Sequence, residues 1–230
     1  MPLTLPSLSF AFAGAAPRAV SVRDCVVAGW TGRDAAAMEH HIAELAVLGV
    51  PRPTATPCFY RVAAALLTQA PAIQVVGPDT SGEAEFFIYQ DDTARWLGVG
   101  SDHTDRALET HNVSLAKQVC AKPVGTELWR LDEVAPHWDR LELRSHATID
   151  GVRTLYQEGP VTTMRDPGDL IDRYTAQGGA FGAGTLMFCG TLAVRGGVRP
   201  ATRFEIALHD PVLGRTLTHA YVVEVLPNAG

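Results

Sequence analysis

Short alternating runs of apolar and polar residues fill the second half of the chain, and they constrain its fold more than any other feature. The segment LELRSHATIDGVRTLYQEG alternates on both sides of Asp150-Gly151, a dipeptide typical of tight hairpin turns. Three further runs follow, with glycine and proline between them: TLMFCGT, TRFEIALHD and TLTHAYVVEVL. Because alternation places every second side chain on one face of a strand, this region predicts strands. One helix, DPGDLIDRYTAQGG, is predicted among them.

The first half of the chain adds more strands and one long helix. The segment DAAAMEHHIAELAVLG predicts a helix that begins after Asp34 and ends at Gly49, before Pro51. FYRVAAALLT is short and apolar and could also be helical. Strands are predicted over residues 7–12, 19–28, 73–76, 83–89 and 96–100. Without an internal repeat or a clear linker, the pattern indicates a β core that carries a few helices.

Size, charge and cysteine spacing limit the classes of protein. A chain of 230 residues with 47% hydrophobic content can form one large domain, or one domain with a small lobe. A net charge of -6, without runs of lysine or arginine, argues against nucleic acid and anionic membranes as partners. Without an apolar stretch of about 18 to 20 residues or a signal-peptide pattern, we expect a soluble, cytoplasmic protein. The cysteines lack zinc-site spacing and are expected to be reduced and mostly buried: Cys25, Cys58, Cys120 and Cys189.

Three carboxylates are the strongest candidates for a site. In SGEAEFFIY, Glu83 and Glu85 share one face of a predicted strand. Two carboxylates about 4 Å apart in a partly buried site repel by about 4 kcal/mol, so water, a proton or a cation must offset them. Asp102 follows the next strand, and three such groups would suit Mg²⁺ or Mn²⁺, with His103 as a rival ligand. Alternatively, the glutamates lie on a solvated strand edge, and Asp102 caps the helix DRALETH.

A histidine and a glutamate on the first predicted helix form a second candidate. His41 and Glu44 are three residues apart and therefore project from one face of the helix. The carboxylate can orient the imidazole, and the pair can take a proton from water. The alternative is that both belong to a solvated helix face.

Two further segments carry candidate anion contacts. In KQVCAKPVG, Lys117 or Lys122 could bind an oxyanion or a carboxylate, although an isolated lysine is usually solvated. Gly190-Thr191 ends an apolar strand, where a backbone N–H and a hydroxyl could hold an anion. The alternative for this dipeptide is a turn that terminates the strand.

Taken in order, these segments resemble the fumarylacetoacetate hydrolase superfamily. HIAELAVLGVPRPTATPCFYR is similar to the HAxE segment, Pro-rich loop and Phe-Lys strand of that family, and SGEAEFFIY to its E-x-E metal strand. GSDHTDRALE resembles the segment that supplies a third carboxylate and a nearby arginine. KQVCAKPVG, YQEGPVTTM, MFCGT and DPVLGRTLTHAYVV match later motifs of the family in the same order. The resemblance covers roughly residues 31 to 225.

The resemblance implies a fold, a metal and a set of roles. The implied fold is mainly β with α, an α+β mixed β-sandwich roll, with an N-terminal lobe over residues 1–70 and a catalytic β-roll over residues 71–230. The implied metal ligands are Glu83, Glu85 and Asp102, with Mg²⁺ as the ion that offsets their repulsion and Mn²⁺ as the other ion that such a site accepts. The implied catalytic residues are His41, Glu44 and Lys117, and the implied substrate contacts are Arg61, Arg106, Gly190 and Thr191. A homodimer is the implied assembly.

The expected activity is cleavage of a C–C bond in a small 2-oxo acid, by acylpyruvate-type hydrolysis or by decarboxylation of a β-oxo acid. Isomerisation, or hydratase or dehydratase chemistry, on an unsaturated or sugar-derived 2-oxo acid is the first alternative. A ligand-binding protein without catalysis is the second. Three departures from the family pattern leave the substrate open: GWTGRD replaces Gly-x-Asn-Tyr, Arg61 replaces a lysine, and Glu109 replaces a glutamine.

Overall fold

A computed structural model describes residues 7–47 and 52–227 of the chain. Its strands are β1 (Ser7–Phe12), β2 (Arg18–Ser21), β3 (Asp24–Gly29), β4 (Cys58–Val62), β5 (Leu67–Thr68), β6 (Ala72–Val76), β7 (Thr80–Ser81), β8 (Ala84–Gln90), β9 (Arg95–Ser101), β10 (Thr104–Asp105), β11 (Lys122–Pro123), β12 (Glu127–Arg130), β13 (Glu142–Ile149), β14 (Val152–Pro160), β15 (Thr185–Thr191), β16 (Arg203–Asp210) and β17 (Arg215–Leu226). Its α-helices are α1 (Ala35–Val47), α2 (Arg106–Glu109), α3 (Val113–Gln118), α4 (Leu131–Val134) and α5 (Pro167–Ala176). Single 3₁₀ segments cover Ala64–Leu66, Ala135–Arg140 and Val161–Thr163.

Two mixed sheets form the framework. The larger has the strand order β2-β1-β12-β9-β8-β15-β3-β4, and the smaller has the order β14-β13-β16-β17-β6. Most neighbouring strands are antiparallel, but β1 with β12, β3 with β15, and β6 with β17 are parallel. The prediction of a mainly β fold with some helix is confirmed.

The larger sheet is buried on both faces, which explains the continuous apolar run of β8. Phe86 lies in a core between the two sheets, where it packs with residues such as Leu143 and Ile206. Phe87 points to the opposite face, into a second core with Phe10. Apolar residues on both sides of a strand are what burial on both faces requires. Any charged residue in this strand therefore lies in a buried setting.

Two local predictions can be compared with the structure in detail. The hairpin at Asp150-Gly151 is confirmed, with positive φ angles of 50° and 76° at the two residues, as a two-residue turn of this kind requires. The helical prediction for FYRVAAALLT is wrong, because β4 pairs with β3 at the sheet edge and only one 3₁₀ turn follows. The predicted end of the first helix, at residues 49–51, lies outside the described residues.

The predicted division at residue 70, into an N-terminal lobe and a catalytic β-roll, stays a prediction, and the larger sheet takes strands from both sides of it. The N-terminal strands β1 to β4 share the larger sheet with β8, β9, β12 and β15. The four cysteines are free and all but Cys58 are buried, which agrees with the prediction of reduced, mostly buried thiols. Within the described ranges, we find no helix that combines the length and apolar character needed to span a membrane.

Candidate metal centre

The three predicted carboxylates converge where two neighbouring strands of the larger sheet meet. Strands β8 and β9 are antiparallel, so the start of β8 lies beside the end of β9. The backbone N–H of Asp102 donates to the carbonyl of Glu83 at 3.0 Å, which joins the two strand ends. One carboxylate oxygen from each of Glu83, Glu85 and Asp102 lies within 4.8 Å of the others. Sheet register therefore creates the site from segments that are far apart in sequence.

Burial and mutual repulsion give these carboxylates different ionisation behaviour. Burial, together with the negative charges of Asp102 and Glu83, raises the pKa of Glu85 well above its ordinary value. Burial also acts to raise the pKa of Asp102, but Lys117 and Lys122 outweigh it and lower that pKa to about 2. Without a metal, the site thus favours a protonated Glu85 beside an ionised Asp102. Glu85 is only 2% exposed. The alternative that the glutamates lie on a solvated strand edge is therefore wrong for this residue.

Gly190 and Thr191 hold the strand that carries Glu85. The N–H of Gly190 donates to Oε2 of Glu85 at 2.6 Å. Gly190 has φ near +102°, and a Cβ there would lie 1.8 Å from Oγ1 of Thr31, so the position requires glycine. The Thr191 hydroxyl donates to the carbonyl of Ala84 at 2.8 Å. Both donors are therefore used within the protein. Substrate contacts from these two residues stay a prediction.

Gln157 links the two sheets beneath the site, a role that the sequence analysis did not assign. Its Oε1 accepts from the N–H of Ala84 at 3.0 Å and from the hydroxyl of Ser145 at 2.9 Å. Its Nε2 donates to Oγ1 of Thr191 at 2.6 Å and to the carbonyl of Leu192 at 2.7 Å. The available signal was the match of YQEGPVTTM to a family motif, since Tyr156 and Gln157 are the only buried residues of β14.

Lys117 lies against two of the three carboxylates. Its ammonium forms an ion pair with Asp102 and is 3.8 Å from Oε2 of Glu83. Burial acts to lower its pKa, but the charges of Asp102 and Glu83 raise it above the ordinary value, so this lysine stays protonated. Its side chain is 7% exposed, and the solvated-lysine alternative is therefore wrong.

Lys122 approaches Asp102 from the other side and is completely buried. Its Nζ lies 3.1 Å from Oδ1 of Asp102 and donates to the carbonyls of His103 and Lys117, each at 2.6 Å. Of the 19 lysines and arginines in the chain, Lys117 and Lys122 are the only lysines. Because lysine is so rare in this chain, two lysines only five residues apart indicated that both contribute to one site.

Arg106 lies between Glu83 and a further carboxylate, that of Glu109. Its Nη2 lies 3.1 Å from Oε1 of Glu83, and its Nη1 lies 2.8 Å from Oε2 of Glu109. Its Nε donates to the hydroxyl of Ser81 at 2.6 Å. Although burial acts to lower it, Glu83 and Glu109 raise the pKa of Arg106 above its ordinary value. Arg106 is therefore a permanent positive charge held between two carboxylates.

His103 is an internal structural residue in this arrangement. Its Nδ1 lies 3.0 Å from the hydroxyl of Tyr221, and its Nε2 lies 2.9 Å from Oγ1 of Thr80. Burial lowers its pKa to about 3, so the ring is neutral. Because both ring nitrogens are occupied, the structure does not support His103 as a metal ligand.

The helix-cap alternative for Asp102 is wrong. Asp105 occupies the N-cap of α2, and its side chain accepts from the N–H of Leu108 at 2.9 Å. The Asp102 carboxylate instead faces the two lysines. The cap lies three residues later because the intervening segment forms β10 before the helix begins.

Of three other predicted site residues, the structure describes the side chain of Arg61 but not those of His41 and Glu44. His41 and Glu44 lie on α1, but their side chains are outside the described part of the structure. Arg61 lies opposite Val26 in the register of β4 and β3, on the sheet face away from Tyr60. Its guanidinium forms an ion pair with Asp24. The structure therefore does not bring Arg61 into the group around the carboxylates.

Comparison with known proteins places the chain in a family. A family model described as a protein of unknown function (DUF2848) matches residues 28–221. The chain belongs to this family. No curated protein matches this DUF2848 chain in sequence.

Solved structures share the fold of this DUF2848 protein at low sequence identity. A protein assigned to the fumarylacetoacetate hydrolase family from Yersinia pestis CO92 matches with a TM-score of 0.68 and 18% identity, covering 93% of this chain and 100% of that one. A 5-carboxymethyl-2-hydroxymuconate delta-isomerase from Mycobacterium smegmatis matches with a TM-score of 0.60 and 17% identity, over 91% and 80% of the chains. A 2-keto-3-deoxy-D-arabinonate dehydratase complexed with magnesium and 2,5-dioxopentanoate matches with a TM-score of 0.63 and 15% identity, over 92% and 77%. The predicted resemblance is confirmed at the level of the fold.

The donor set of the DUF2848 chain fits a hard divalent cation. All three converging groups are carboxylates, the ligand type that Mg²⁺ and Mn²⁺ prefer. Oδ1 of Asp102 is buried and accepts no hydrogen bond from any described residue, although it lies near Lys122. A cation would also relieve the repulsion that, in addition to burial, raises the pKa of Glu85. Glu83, Glu85 and Asp102 are therefore the residues that would hold the ion.

Proposed function

We propose that this protein is a Mg²⁺-dependent enzyme that cleaves a C–C bond in a 2-oxo acid. The observation that carries the proposal is the convergence of Glu83, Glu85 and Asp102, with oxygens within 4.8 Å, in a buried site that also holds Lys117. A three-carboxylate site leaves positions at the metal for a chelating ligand, and a 2-oxo acid offers a keto oxygen and a carboxylate. Mn²⁺ would satisfy the same ligands.

The chain's own residues supply charge and orientation. Bound Mg²⁺ would act as a Lewis acid toward the chelated 2-oxo group. Lys117, which stays protonated, provides a fixed positive charge at the same site, where water is largely excluded and charge interactions are strong. Gly190 and Gln157 hold the strand of Glu85 in place. Activation of water remains assigned to His41 and Glu44 as a prediction.

A dehydratase or isomerase reaction at the same site is the second candidate. The observation that favours it is that the similar solved structures include a dehydratase complexed with magnesium and a delta-isomerase. Incubation with acylpyruvates, β-oxo acids and sugar-derived 2-oxo acids, followed by product analysis by NMR, separates these reactions. A metal-loaded protein that leaves every such acid unchanged would instead support a ligand-binding role.

Calorimetric titration of oxalate, a planar chelating dianion, tests the site directly. We expect oxalate to bind the parent protein with Mg²⁺ and not without it. Glu83→Gln should abolish both Mg²⁺ and oxalate binding, whereas Glu127→Gln, an exposed position on β12, should leave them unchanged. Oxalate binding that is equally strong without Mg²⁺, or metal binding that survives Glu83→Gln, would contradict the proposed site.

The homodimer implied by the family resemblance is also proposed for this chain. Light scattering on the purified protein would give a mass near twice that of the 24.6 kDa chain. A monomeric mass across a wide concentration range would reject it.

A further inference from the structure

Arg106 is shared between two carboxylates at the site. Its guanidinium lies 3.1 Å from Oε1 of Glu83 and 2.8 Å from Oε2 of Glu109. Glu83 is one of the three carboxylates proposed as metal ligands, whereas Glu109 is not. One positive charge is therefore balanced by two negative charges, and Glu109 neutralises the charge of Arg106 that remains when Glu83 binds a metal.

This group lies at the accessible side of the site. The side chains of Glu83, Arg106 and Glu109 are 18%, 19% and 20% exposed, whereas those of Asp102 and Lys122 are 0% exposed. A ligand that chelates a metal at Glu83 must enter from the exposed side, so its distal end passes close to Arg106 and Glu109. Arg106 and Glu109 therefore lie on the side from which a ligand would enter.

The other cations of the site are more deeply buried, since the side chains of Lys117 and Lys122 are 7% and 0% exposed, against 19% for Arg106. Lys117 and Lys122 both face Asp102, and Lys122 also donates to main-chain carbonyls. Among the site residues that the structure describes, Arg106 is thus the cation that a second ligand carboxylate could approach. At that position it would meet Glu109, and two like charges a few ångströms apart in a partly buried site repel strongly.

We infer that Glu109 excludes a second carboxylate, so that the ligand of this site is a 2-oxo monocarboxylic acid with an uncharged distal part. The inference rests on the proposed function, because it takes the 2-oxo acid site as given. Within that function it favours acylpyruvate-type hydrolysis over decarboxylation of a β-oxo diacid. Glu109 acts here as a specificity-determining residue and takes no part in the chemical step.

Two acids of matched length test the inference by calorimetry in the presence of MgCl₂. 2-Oxohexanoate carries one carboxylate, and 2-oxoglutarate carries a second one at its distal end. We expect the parent protein to bind 2-oxohexanoate more tightly. Glu109→Gln keeps the size of the side chain and removes its charge, and it should shift the affinity ratio toward 2-oxoglutarate by about tenfold or more. Because the readout is binding, turnover is not needed.

Controls identify the cause of such a shift. Asp92→Asn also removes one negative charge, but in the turn at the far end of β8, and should leave the ratio unchanged. Adding Arg106→Gln to Glu109→Gln should remove the gain, since the gain depends on the freed guanidinium.

Each outcome decides a separate point. If both acids bind and Glu109→Gln leaves their ratio unchanged, the inference is overturned and the proposed function stands. A parent protein that binds 2-oxoglutarate more tightly also overturns it, and this comparison needs no variant. If neither acid binds the parent or the variant in MgCl₂, the proposed function itself fails.

Discussion

Lys122 places its ammonium 3.1 Å from Oδ1 of Asp102 while it donates hydrogen bonds to three main-chain carbonyls. The carbonyls belong to His103, Lys117 and Cys120, all in the segment that follows Asp102. A buried charge pair stabilises a fold only when hydrogen bonds satisfy its remaining donors and acceptors. Here the ammonium is fully satisfied, so Lys122 fixes both the position and the ionised state of Asp102.

Lys122→Met should destabilise the protein by about 3 to 5 kcal/mol, because it leaves a buried carboxylate with one cation and three carbonyls without a donor. Urea unfolding measures this loss. Arg52→Met is the control, since the Arg52–Glu39 ion pair is largely exposed and should contribute little. Equal midpoints for Lys122→Met and the parent would show that the ammonium does not hold this segment together.

Glu85→Gln should separate stability from metal binding. Glu85 is buried beside two other carboxylates that favour its neutral form, so a neutral glutamine should leave the thermal midpoint of the metal-free protein unchanged or raised. Mg²⁺ should raise the thermal midpoint of the parent but not of the variant, because Glu85 is one of the three proposed ligands. Thermal unfolding with and without MgCl₂ checks both parts. A variant that still gains stability from Mg²⁺ would remove Glu85 from the ligand set.

The raised pKa of Glu85 also predicts how stability depends on pH. Above the ordinary pKa of about 4.5, the folded metal-free protein binds a proton at Glu85 that the unfolded chain does not bind. The contribution of this group to stability therefore falls as pH rises above that value. Mg²⁺ should displace the proton, so metal affinity should rise with pH, and titration in buffers of different ionisation enthalpy should detect the released proton. The pH dependence of stability should be smaller in Glu85→Gln, and an unchanged profile would contradict this prediction.

Asp91 stabilises the turn between β8 and β9, at whose other ends the three carboxylates lie. Its carboxylate accepts from Ala94 N–H at 2.8 Å and from Trp96 Nε1 at 2.9 Å, as well as from Thr93. Burial acts to raise its pKa, but these bonds lower it to about 2. Its contribution is therefore present above about pH 3.8 and lost as pH falls toward 2. Asp91→Asn should cost about 1 to 2 kcal/mol at neutral pH in urea unfolding. The same change at the exposed neighbour Asp92 should cost little, and equal losses at both positions would rule out these bonds as the cause.

The parts of this fold that follow from local physics were predictable from the sequence. Alternation and the Asp150-Gly151 turn identify the β13–β14 hairpin, because strand period and turn geometry are set within a few residues. The convergence of the three carboxylates needed more, since it depends on the register of β8 with β9. The resemblance supplied that long-range step.

The orientation of single side chains was not predictable. Arg61 follows Tyr60 in one strand, and a shift of one residue reverses the face that each occupies. Lys122 looks like a surface lysine in the sequence, because nothing local shows that three carbonyls will surround it. Such details depend on pairing between distant segments.

Because both lysines of the chain lie against Asp102, reagents that modify lysine can probe this one segment. Every other cationic side chain apart from histidine is arginine, so amine-directed reagents find no exposed lysine on the described surface. Apart from the terminal amine, acylation by an activated ester then requires the segment around Asp102 to open. The rate of lysine labelling would accordingly report the local opening of the segment around Asp102 rather than the accessibility of the surface.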